Sequence, residues 1–554
     1  MIVPMTAASL WPPRRATSTG WLVLAQTPTV DGPWTEQVRH GLRVLDPLPG
    51  PAAGAAPANP RASATLHVRT VVDPDLAQEG YRLDITSSGI LIAAGTRLGA
   101  LQAVTTIRQL LPADAWRATA ARRDDWRLPL TSISDAPTFG YRGFMLDVSR
   151  HFAPVPEVLR WIELAAMHRL NRLHLHLTDD QGWRVELPSH PALAEIASWR
   201  AATWIGHSQG REDLDPSRLD NTPHGGFYTT ADLREITDHA ARCGVTIVPE
   251  VDLPGHASAL LAAIPELGVP GCPPQRVEPR WGLLGRTISP LPDAMGIVET
   301  LLGEVADSID SSYLHIGGDE AELTMWRQSP EVLASANAHG GVEGLRTAVN
   351  AQLARTVLGL GRTPIAWDDA FVAGGLPTAT VVMPWRSVAV GHAAAAAGHD
   401  VVMAPVLPTY FDYAEATGPD EPLSIGAPLE IERVAAWVPE PAAPGSPGRV
   451  LGGQGQLWTE YTPDAGSREY RAFPRLSVLA ANLWRGTPLD PTSEGPDLDA
   501  HVARLDARHV NHRPLSGPRP RQRGGTGRRA PIGVHPIDDV AAFLDSTAGA
   551  PEPP

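Results

Sequence analysis

Two acidic residues, Asp319 and Glu320, stand side by side in the segment YLHIGGDEAEL, residues 313–323. A pair of carboxyl groups can provide general acid and general base catalysis when both reach the same bond. Neighbouring residues of a regular strand point to opposite faces, so the two carboxylates need a turn in the backbone to converge. Gly317 and Gly318, just before the pair, would permit that turn. The alternative is a helix that begins here, because acidic side chains stabilise helix N-termini.

Further polar and aromatic residues follow other apolar, strand-like runs of the sequence. In chain order they are Asp147, Ser149, Arg150, His151, Thr178, Asp179, Asp180, Glu250, Asp252, His256, Trp367, Asp368, Asp369, Trp385, Arg386, Tyr410, Asp412, Trp458 and Glu460. Indole rings stack on the CH faces of sugars, and carboxylates bind sugar hydroxyls. If these run ends lie at one rim, the sequence predicts an acidic pocket with aromatic walls that suits a carbohydrate.

Eight apolar runs must bring these side chains together. They are GFMLDV, NRLHLHL, VTIVPEV, YLHIGG, TPIAW, TVVMPW, DVVMAP and VLGGQGQLW. Stretches with helical periodicity, such as VPEVLRWIELAAMHRL and TTADLREITDHAARCG, lie between them. Strands that alternate with helices predict an α/β fold, a (β/α)8 TIM barrel, over residues 137–500. Polar residues at the C-terminal ends of barrel strands line the mouth, where the chemistry of such barrels takes place.

A small α+β domain is predicted before the barrel, over residues 1–136. Its first 60 or so residues are rich in Pro, Ala and Gly and are interpreted as a linker or loop. Alternating runs then predict strands in TLHVRTVV and YRLDITSSGILIAAG, and RLGALQAVTTIRQLLP has the apolar spacing of a helix. Residues 501–554 are interpreted as a partly disordered C-terminal extension that takes no part in the chemistry.

Charge excludes several classes of protein. The 554 residues include 46 basic and 61 acidic ones, a formal net charge of −15. This sign does not suit phosphate backbones or anionic lipid, so neither nucleic acid nor a membrane is an expected partner. All 46 basic residues are arginine, since the sequence holds no lysine. P-loop NTPases, pyridoxal enzymes and protein kinases depend on a lysine and are therefore excluded.

Cysteine content and hydropathy bear on the compartment. The two cysteines, Cys243 and Cys272, are too few for a disulfide framework. No apolar stretch reaches the roughly 20 residues that a membrane span needs. The first residues place their arginines after a weakly apolar stretch, which is not the order of a secretory signal. These features favour a cytoplasmic protein.

Seven longer motifs resemble those of glycoside hydrolase family 20, the β-N-acetylhexosaminidases. They are RGFMLDVSRHF, HLHLTDDQGWR, GGFYTTADLREI, IVPEVDLPGHASA, HIGGDE, LWTEY and FPRLSVLA. They occur in order between about residues 66 and 525, most of the chain. The resemblance implies a barrel behind a small α+β domain. It also implies an exo-acting, retaining enzyme that removes terminal N-acetylglucosamine or N-acetylgalactosamine from an amino-sugar glycoside without cofactor or metal.

The resemblance also implies a mechanism for the adjacent acids. Family 20 is an exception among retaining glycosidases, since the substrate's own 2-acetamido oxygen attacks the anomeric carbon. Glu320 would be the general acid and base, and Asp319 would hold the acetamido N–H. A negative Asp319 would help to raise the pKa of Glu320, so the expected pH optimum is mildly acidic.

Other roles follow from the same resemblance, position by position. Arg150 would bind the 3- and 4-hydroxyls of the sugar, although a salt bridge at the rim is its alternative. Tyr410 would donate to the acetamido oxygen, and the pair Asp179 and His256 would tune the acid. The remaining matched positions are the pocket walls Trp367, Trp385 and Trp458, the sugar or acetamido ligands Asp412 and Glu460, and the supporting residue Asp252.

Two other functions remain open from the sequence. His174 and His176, in HLHL, lie on one face of a strand, as do the metal ligands of barrel amidohydrolases. Histidines with a structural role in the barrel are the alternative to that metal site. A catalytically silent, sugar-binding barrel is the second possibility, although a pure binding protein has no need of a proton donor at Glu320.

Overall fold

The computed structural model describes residues 20–24, 28–43, 66–117, 126–208, 214–426 and 428–524. In this part of the chain, a small α+β domain precedes a closed barrel of eight parallel strands. The predicted fold class is therefore confirmed. No described helix is both long and apolar enough to cross a membrane.

The N-terminal domain has seven strands and two α-helices in its described residues. They are β1 (Trp21–Val23), β2 (Thr29–Asp31), α1 (Thr35–Gly41), β3 (His67–Val72), β4 (Tyr81–Thr86), β5 (Gly89–Ala94), α2 (Arg97–Gln109), β6 (Arg127–Pro129) and β7 (Thr131–Asp135). Five strands form one sheet in the order β2-β3-β5-β4-β7, and β1 pairs with β6. Alternation buries one face of this sheet, for example Leu83 and Ile92, beneath the apolar side of α2 with Ala103 and Ile107.

The prediction that residues 1 to about 60 are linker or loop is wrong for β1, β2 and α1. Val30, Val38 and Leu42 from these elements are buried in the core of the domain. The two strands have only three residues each, too few for a visible alternation. Their partners, β6 and β3, lie far along the chain, so pairing rather than local pattern determines them. Residues 1–19, 25–27 and 44–60 of that prediction lie outside the described part.

The barrel domain contains twelve strands and fourteen α-helices among the described residues. The strands are β8 (Tyr141–Asp147), β9 (Arg172–His176), β10 (Thr178–Asp179), β11 (Gly182–Trp183), β12 (Trp199–Arg200), β13 (His224–Gly225), β14 (Thr246–Glu250), β15 (Tyr313–His315), β16 (Thr363–Trp367), β17 (Val381–Met383), β18 (Val401–Met403) and β19 (Val450–Leu457). The helices are α3 (Val155–Met167), α4 (Thr230–Cys243), α5 (Ser258–Ala263), α6 (Pro292–Ser308), α7 (Thr324–Gln328), α8 (Pro330–Ala336), α9 (Val342–Gly359), α10 (Asp368–Val372), α11 (Val388–Ala396), α12 (Val406–Thr409), α13 (Ile431–Ala435), α14 (Ala465–Ala472), α15 (Arg475–Arg485) and α16 (Pro491–Ala507).

All eight predicted barrel strands are present. The closed order is β14-β15-β16-β17-β18-β19-β8-β9, every pair is parallel, and β19 closes the barrel against β8. Alternation sorts the side chains of β9. Leu173 and Leu175 pack outward against the helices, whereas His174 and His176 are fully buried on the other face. The two short hairpins, β10 with β11 and β12 with β13, lie in the loops that follow β9.

The C-terminal part of the described chain packs on the barrel. The boundary placed at residue 500 falls inside α16, where His501 is fully buried and its Nε2 lies 2.9 Å from that of His168. Arg513 then pairs with Glu421 at 2.7 Å. These residues form polar contacts that the Gly- and Arg-rich composition does not reveal. The predicted disorder beyond residue 524 lies outside the described part.

A buried ion pair joins the two domains. Glu79 of the N-terminal domain accepts hydrogen bonds from Arg142 Nη2 at 2.6 Å and from Asn171 Nδ2 at 2.7 Å. Arg142 and Asn171, in or just before barrel strands, are both buried. A buried guanidinium is stable only when its donors are satisfied. Glu79 therefore fixes the N-terminal domain against the end of the barrel at which the strands begin.

Replacing Glu79 should loosen this junction. We expect Glu79→Ala to lower the free energy of unfolding by about 3–5 kcal/mol, because it leaves a buried guanidinium without its counter-ion. Denaturant unfolding followed by tryptophan fluorescence measures the change. Glu440→Ala, at an exposed carboxylate, is the matched control and should change stability little. Equal stabilities of the two variants would contradict the role of Glu79.

Candidate active site

The acidic pair lies in a turn after β15. Gly317 and Gly318 have φ values of 66° and 101°, and Glu320 itself has a positive φ of 48°. The turn is held from below, since Asp252 Oδ1 accepts the amide of Gly318 at 3.1 Å. A Cβ at Gly317 would lie 1.7 Å from that same oxygen, so only glycine fits. Helix α7 begins four residues beyond the pair, so the acidic residues do not start a helix.

His256 brings the predicted supporting residues to the acidic pair. Its Nε2 lies 3.5 Å from Glu320 Oε2 and 3.9 Å from Asp319 Oδ2. Its Nδ1 lies 3.3 Å from Asp179 Oδ1. Burial alone would lower the pKa of His256, but the Asp179 carboxylate outweighs it and raises that pKa well above its ordinary value. A cationic imidazole therefore lies between Asp179 and the two acids.

The barrel interior contains a charged cluster that was not predicted from the sequence. Nitrogens of three histidines lie close to the Glu250 carboxylate: His176 at 2.5 Å, and His174 and His315 at 3.0 Å each. Trp367 donates its indole N–H to the same carboxylate at 2.8 Å. Burial would raise the pKa of Glu250, but His176 and the other histidines hold it well below the usual range. The histidines of HLHL thus belong to the packed interior and bind a carboxylate.

His176 extends this cluster to the mouth. Its Nδ1 faces Glu250, and its Nε2 lies 2.7 Å from Asp179 Oδ2. Asp179 faces His256, and His256 faces Glu320. Ionisable side chains therefore form one continuous line from the barrel centre to the acidic pair. No motif could reveal the inner half of this line, because it forms only when β9 and β14 lie side by side.

Arg150 lies on the other side of Asp179. It pairs with Asp179 Oδ2 at 2.8 Å and Asp147 Oδ2 at 3.3 Å, and Glu460 Oε1 lies 4.0 Å away. Its guanidinium also covers the ring of Trp458, 4.9 Å from the centroid. Burial would lower the pKa of Arg150, and Asp179 and the other carboxylates raise it well above its ordinary value. The rim salt bridge is therefore present, with the cation next to the predicted sugar ligands.

The three predicted wall tryptophans and Tyr410 lie together. Trp458 is 6.2 Å from Trp367 and 6.3 Å from Tyr410, measured between ring centroids. Trp385 packs in the same cluster and donates its indole N–H to Asp369 Oδ2 at 2.9 Å. The indole N–H groups of Trp367 and Trp385 are thus both bound to carboxylates, which fixes the orientation of the rings.

Two residues that are predicted to bind the sugar or its acetamido group have buried oxygens that no described residue binds. Both carboxylate oxygens of Asp412 and Oδ1 of Asp319 have no hydrogen-bond partner among the described residues. Buried polar atoms are nearly always hydrogen-bonded, so these acceptors suit the O–H and N–H donors of a ligand. Burial, and then Glu460, raises the pKa of Asp412. Burial, and then Asp252, raises the pKa of Asp319 well above its ordinary value.

Asp369 joins the acid to one wall of the pocket. Its Oδ1 accepts the Glu320 amide at 3.3 Å, and its Oδ2 lies 2.5 Å from Arg386 Nη2 in addition to binding Trp385. Sequence reasoning placed Asp369 and Arg386 at strand ends without a role. Their position directly after TPIAW and TVVMPW was the available signal.

Two buried arginines fasten the loops of the mouth. Arg184 donates to the carbonyls of Val148 at 3.0 Å and Ser198 at 2.6 Å, and Arg200 donates to the carbonyl of Arg150 at 2.7 Å. Burial lowers the pKa of Arg184 to about 10 and that of Arg200 to about 9. Both stay charged at neutral and acidic pH and keep the backbone around Arg150 in place.

Fold and site together define a class of protein. Paired carboxyl groups beside tryptophans at the C-terminal mouth of a parallel barrel are typical of a barrel glycoside hydrolase. A family model described as "Glycosyl hydrolase family 20, catalytic domain" matches residues 139–487, and one described as domain 2 of that family matches residues 24–136. The chain belongs to glycosyl hydrolase family 20, which confirms the resemblance seen in the motifs.

Relatives and solved structures agree with this assignment. A beta-hexosaminidase of Porphyromonas gingivalis is 35% identical over 81% of this chain, which spans 56% of that relative's length. A beta-hexosaminidase of Vibrio furnissii is 32% identical over 76% of this chain and 67% of its own. The crystal structure of a family 20 exo beta-N-acetylglucosaminidase from Vibrio harveyi, in complex with N-acetylglucosamine, is also similar. Its TM-score is 0.76 and its identity 28%, over 93% of this chain and 80% of that one.

The turn at the acidic pair gives a direct test of the site. We expect Gly317→Ala to lower kcat about 100-fold, because its Cβ would displace Asp252 and with it both carboxylates. Steady-state kinetics on a hexosaminide measure the loss. Gly340→Ala is the matched control, since Gly340 also has a positive φ, of 77°, but has no atom within 4 Å of an added Cβ. Equal kcat values for the two variants would refute the importance of this turn.

Proposed function

We propose that the protein is an exo-acting, retaining β-N-acetylhexosaminidase that works by substrate assistance. The observation that carries the proposal is the adjacency of Asp319 and Glu320 in one turn, with His256 facing both. A conventional retaining pair flanks the bond from two sides, with the carboxyls about 5 Å apart. Consecutive residues on one turn suit a different division of labour, in which the nucleophile comes from the substrate.

Glu320 is the proton donor in this mechanism. It protonates the glycosidic oxygen while the 2-acetamido oxygen attacks the anomeric carbon, so the bond to the leaving group breaks and a cyclic oxazolinium-like ring forms. Glu320, now a carboxylate, then takes a proton from the water that opens this ring, with net retention. Its side chain is about one-third exposed, which suits a group that meets both a leaving group and water.

Asp319 and Tyr410 act on the acetamido group. Ionised Asp319 accepts the acetamido N–H and stabilises the positive charge that develops on the ring. Its buried Oδ1 has no partner among the described residues and is available for this bond. The Tyr410 hydroxyl donates to the acetamido oxygen and orients it for attack. Burial, and then the nearby Asp319, raises the pKa of Tyr410 well above its ordinary value, so the hydroxyl keeps its proton.

The remaining residues bind the terminal sugar. Arg150 and Glu460 supply a cation and a carboxylate for sugar hydroxyls, and Asp412 supplies two buried acceptors. Trp385 and Trp458, both half-buried, provide the apolar faces on which a ring or an acetamido methyl packs, and the fully buried Trp367 lies beside Trp458. An amino sugar at the non-reducing end of a chitooligosaccharide or glycan is the proposed substrate. The N-acetylglucosamine bound to the Vibrio harveyi enzyme supports this choice.

A pair of chromogenic substrates tests the proposal. We expect cleavage of 4-nitrophenyl β-N-acetylglucosaminide but not of the matched β-glucoside, because only the former carries the nucleophile. Glu320→Gln should abolish most of this activity, whereas Glu322→Gln, an exposed carboxylate two residues away, should retain it. EDTA in every assay addresses the metal-dependent alternative.

The outcomes separate the candidate functions. Equal cleavage of both glycosides would show that the acetamido group is not the nucleophile. Loss of activity in EDTA, with recovery on adding zinc, would favour a metal hydrolase. Tight binding of N-acetylglucosamine without turnover of either glycoside would favour a sugar-binding protein.

The pH profile tests the state of Asp319. Its pKa is raised by burial and then by Asp252, so activity should rise with pH as Asp319 ionises. Asp252→Asn removes one nearby negative charge but keeps an acceptor for Gly318. Ionisation of Asp319 then becomes easier, so we expect the acidic limb of kcat/KM to move to lower pH.

The control for this shift is Asp310→Asn, because the Asp310 side chain is 96% exposed. It removes the same charge from the surface and should leave the acidic limb in place. An acidic limb that stays unchanged in Asp252→Asn would show that another group controls it.

A further inference from the structure

A second large cavity lies at the opposite end of the barrel from the active site. It has a volume of about 880 Å³ and is lined by α1 and α2 of the N-terminal domain and by the last turns of α3 and α4. Helix α4 ends at Cys243 and β14 begins at Thr246, so this wall lies at the N-terminal ends of the strands. The acidic pair follows a C-terminal strand end, and the cavity is therefore a separate site.

Positive charge dominates the lining. The side chains of four arginines in it form no ion pair or hydrogen bond with a described residue: Arg39, Arg43, Arg108 and Arg242. Only two lining residues are acidic, Glu36 and Glu163. Glu163 already accepts a hydrogen bond from Arg508. The excess of cations is notable in a chain whose net charge is −15.

Arg108 is the one of these four arginines that is partly removed from water, since Arg39, Arg43 and Arg242 are exposed. Its guanidinium packs on the Trp116 ring, 4.1 Å from the centroid, and its buried Nε has no hydrogen-bond partner among the described residues. Burial, and then Arg508, lowers the pKa of Arg108 to about 10. A buried cation without a counter-ion is costly, so this arrangement favours the binding of an anion.

Capping of helix C-termini does not account for these arginines. Arg97, in the same lining, shows what that role looks like: its Nη2 donates to the carbonyl of Ala241 at 2.8 Å and its Nη1 to that of Arg242 at 3.4 Å. The four arginines make no such bond.

The two segments outside the described residues that follow lining residues in the sequence have no net charge. Residues 44–65, which follow Arg43, contain one Asp and one Arg, and residues 118–125 contain two of each.

We propose that this cavity is a binding site for a small phosphorylated molecule. Guanidinium groups bind phosphate oxygens through paired, charge-assisted hydrogen bonds, and four of them can neutralise a di- or triphosphate. The volume suits a ligand of nucleotide size. Arg39 and Arg108 come from the N-terminal domain and Arg242 from the barrel, so the ligand binds both domains and stabilises their junction.

Binding and thermal stability of the full chain test this site. The probes are pyrophosphate and ATP, each without magnesium, with citrate as the carboxylate comparison and glucose as the neutral one. We expect isothermal titration to show binding of pyrophosphate and ATP at physiological salt and a rise in Tm with each. The double variant Arg39→Gln/Arg108→Gln should weaken both at least tenfold. Arg355→Gln, at an exposed arginine of α9, is the matched control and should bind as the unaltered chain does.

The remaining outcomes decide against the proposal. No binding of pyrophosphate or ATP at millimolar concentration would overturn it, and so would equal affinity in the double variant and in Arg355→Gln. Stronger binding of citrate than of pyrophosphate would overturn the phosphate class. If the double variant does not fold, the single variant Arg39→Gln replaces it, because Arg39 is exposed and its loss leaves the core intact. An unchanged affinity there would also count against the site.

Discussion

Two consecutive carboxylates can face one bond only if the backbone between strand and helix turns sharply, and much of the active site follows from this constraint. The turn has no room for a side chain at Gly317, where the Asp252 carboxylate occupies the space beside the backbone. Asp252 supports the turn from one side by binding an amide, and Asp369 binds the Glu320 amide from another. Both supports lie just beyond the ends of neighbouring strands, so the closed barrel itself fixes the geometry of the pair.

The direction in which the pKa of a carboxyl group is shifted differs between the barrel interior and its mouth. Glu250, in the barrel interior, is kept ionised by three histidines, although it is fully buried. At the mouth, Asp319 and Asp412 have few cationic neighbours, and burial raises the pKa of each. His176 and Asp179 lie between the two zones. The pKa values of similar side chains are thus shifted in opposite directions, because the barrel gives each a different set of partners.

The sequence was most informative where its pattern is local. The eight barrel strands are recognisable in the sequence as apolar runs, and HIGGDE places two acids and two glycines together. Short strands such as Trp21–Val23 could not be predicted, since only a distant partner stabilises them. The histidines that contact Glu250 could not be predicted either. His174 and His315 are 141 positions apart in the sequence and meet only when the barrel closes. The contacts of Asp369 depend in the same way on three strand ends that converge.

The arginines that hold the loops of the mouth also determine what a titration of this enzyme can report. Arg184 and Arg200 bind backbone carbonyls, and their pKa values of about 10 and 9 leave them charged throughout the acidic and neutral range. Histidines and carboxylates can change charge within that range, whereas these two arginines do not. The hydrogen bonds that these two arginines make to the loops therefore add no titration step to the curve of rate against pH in that range.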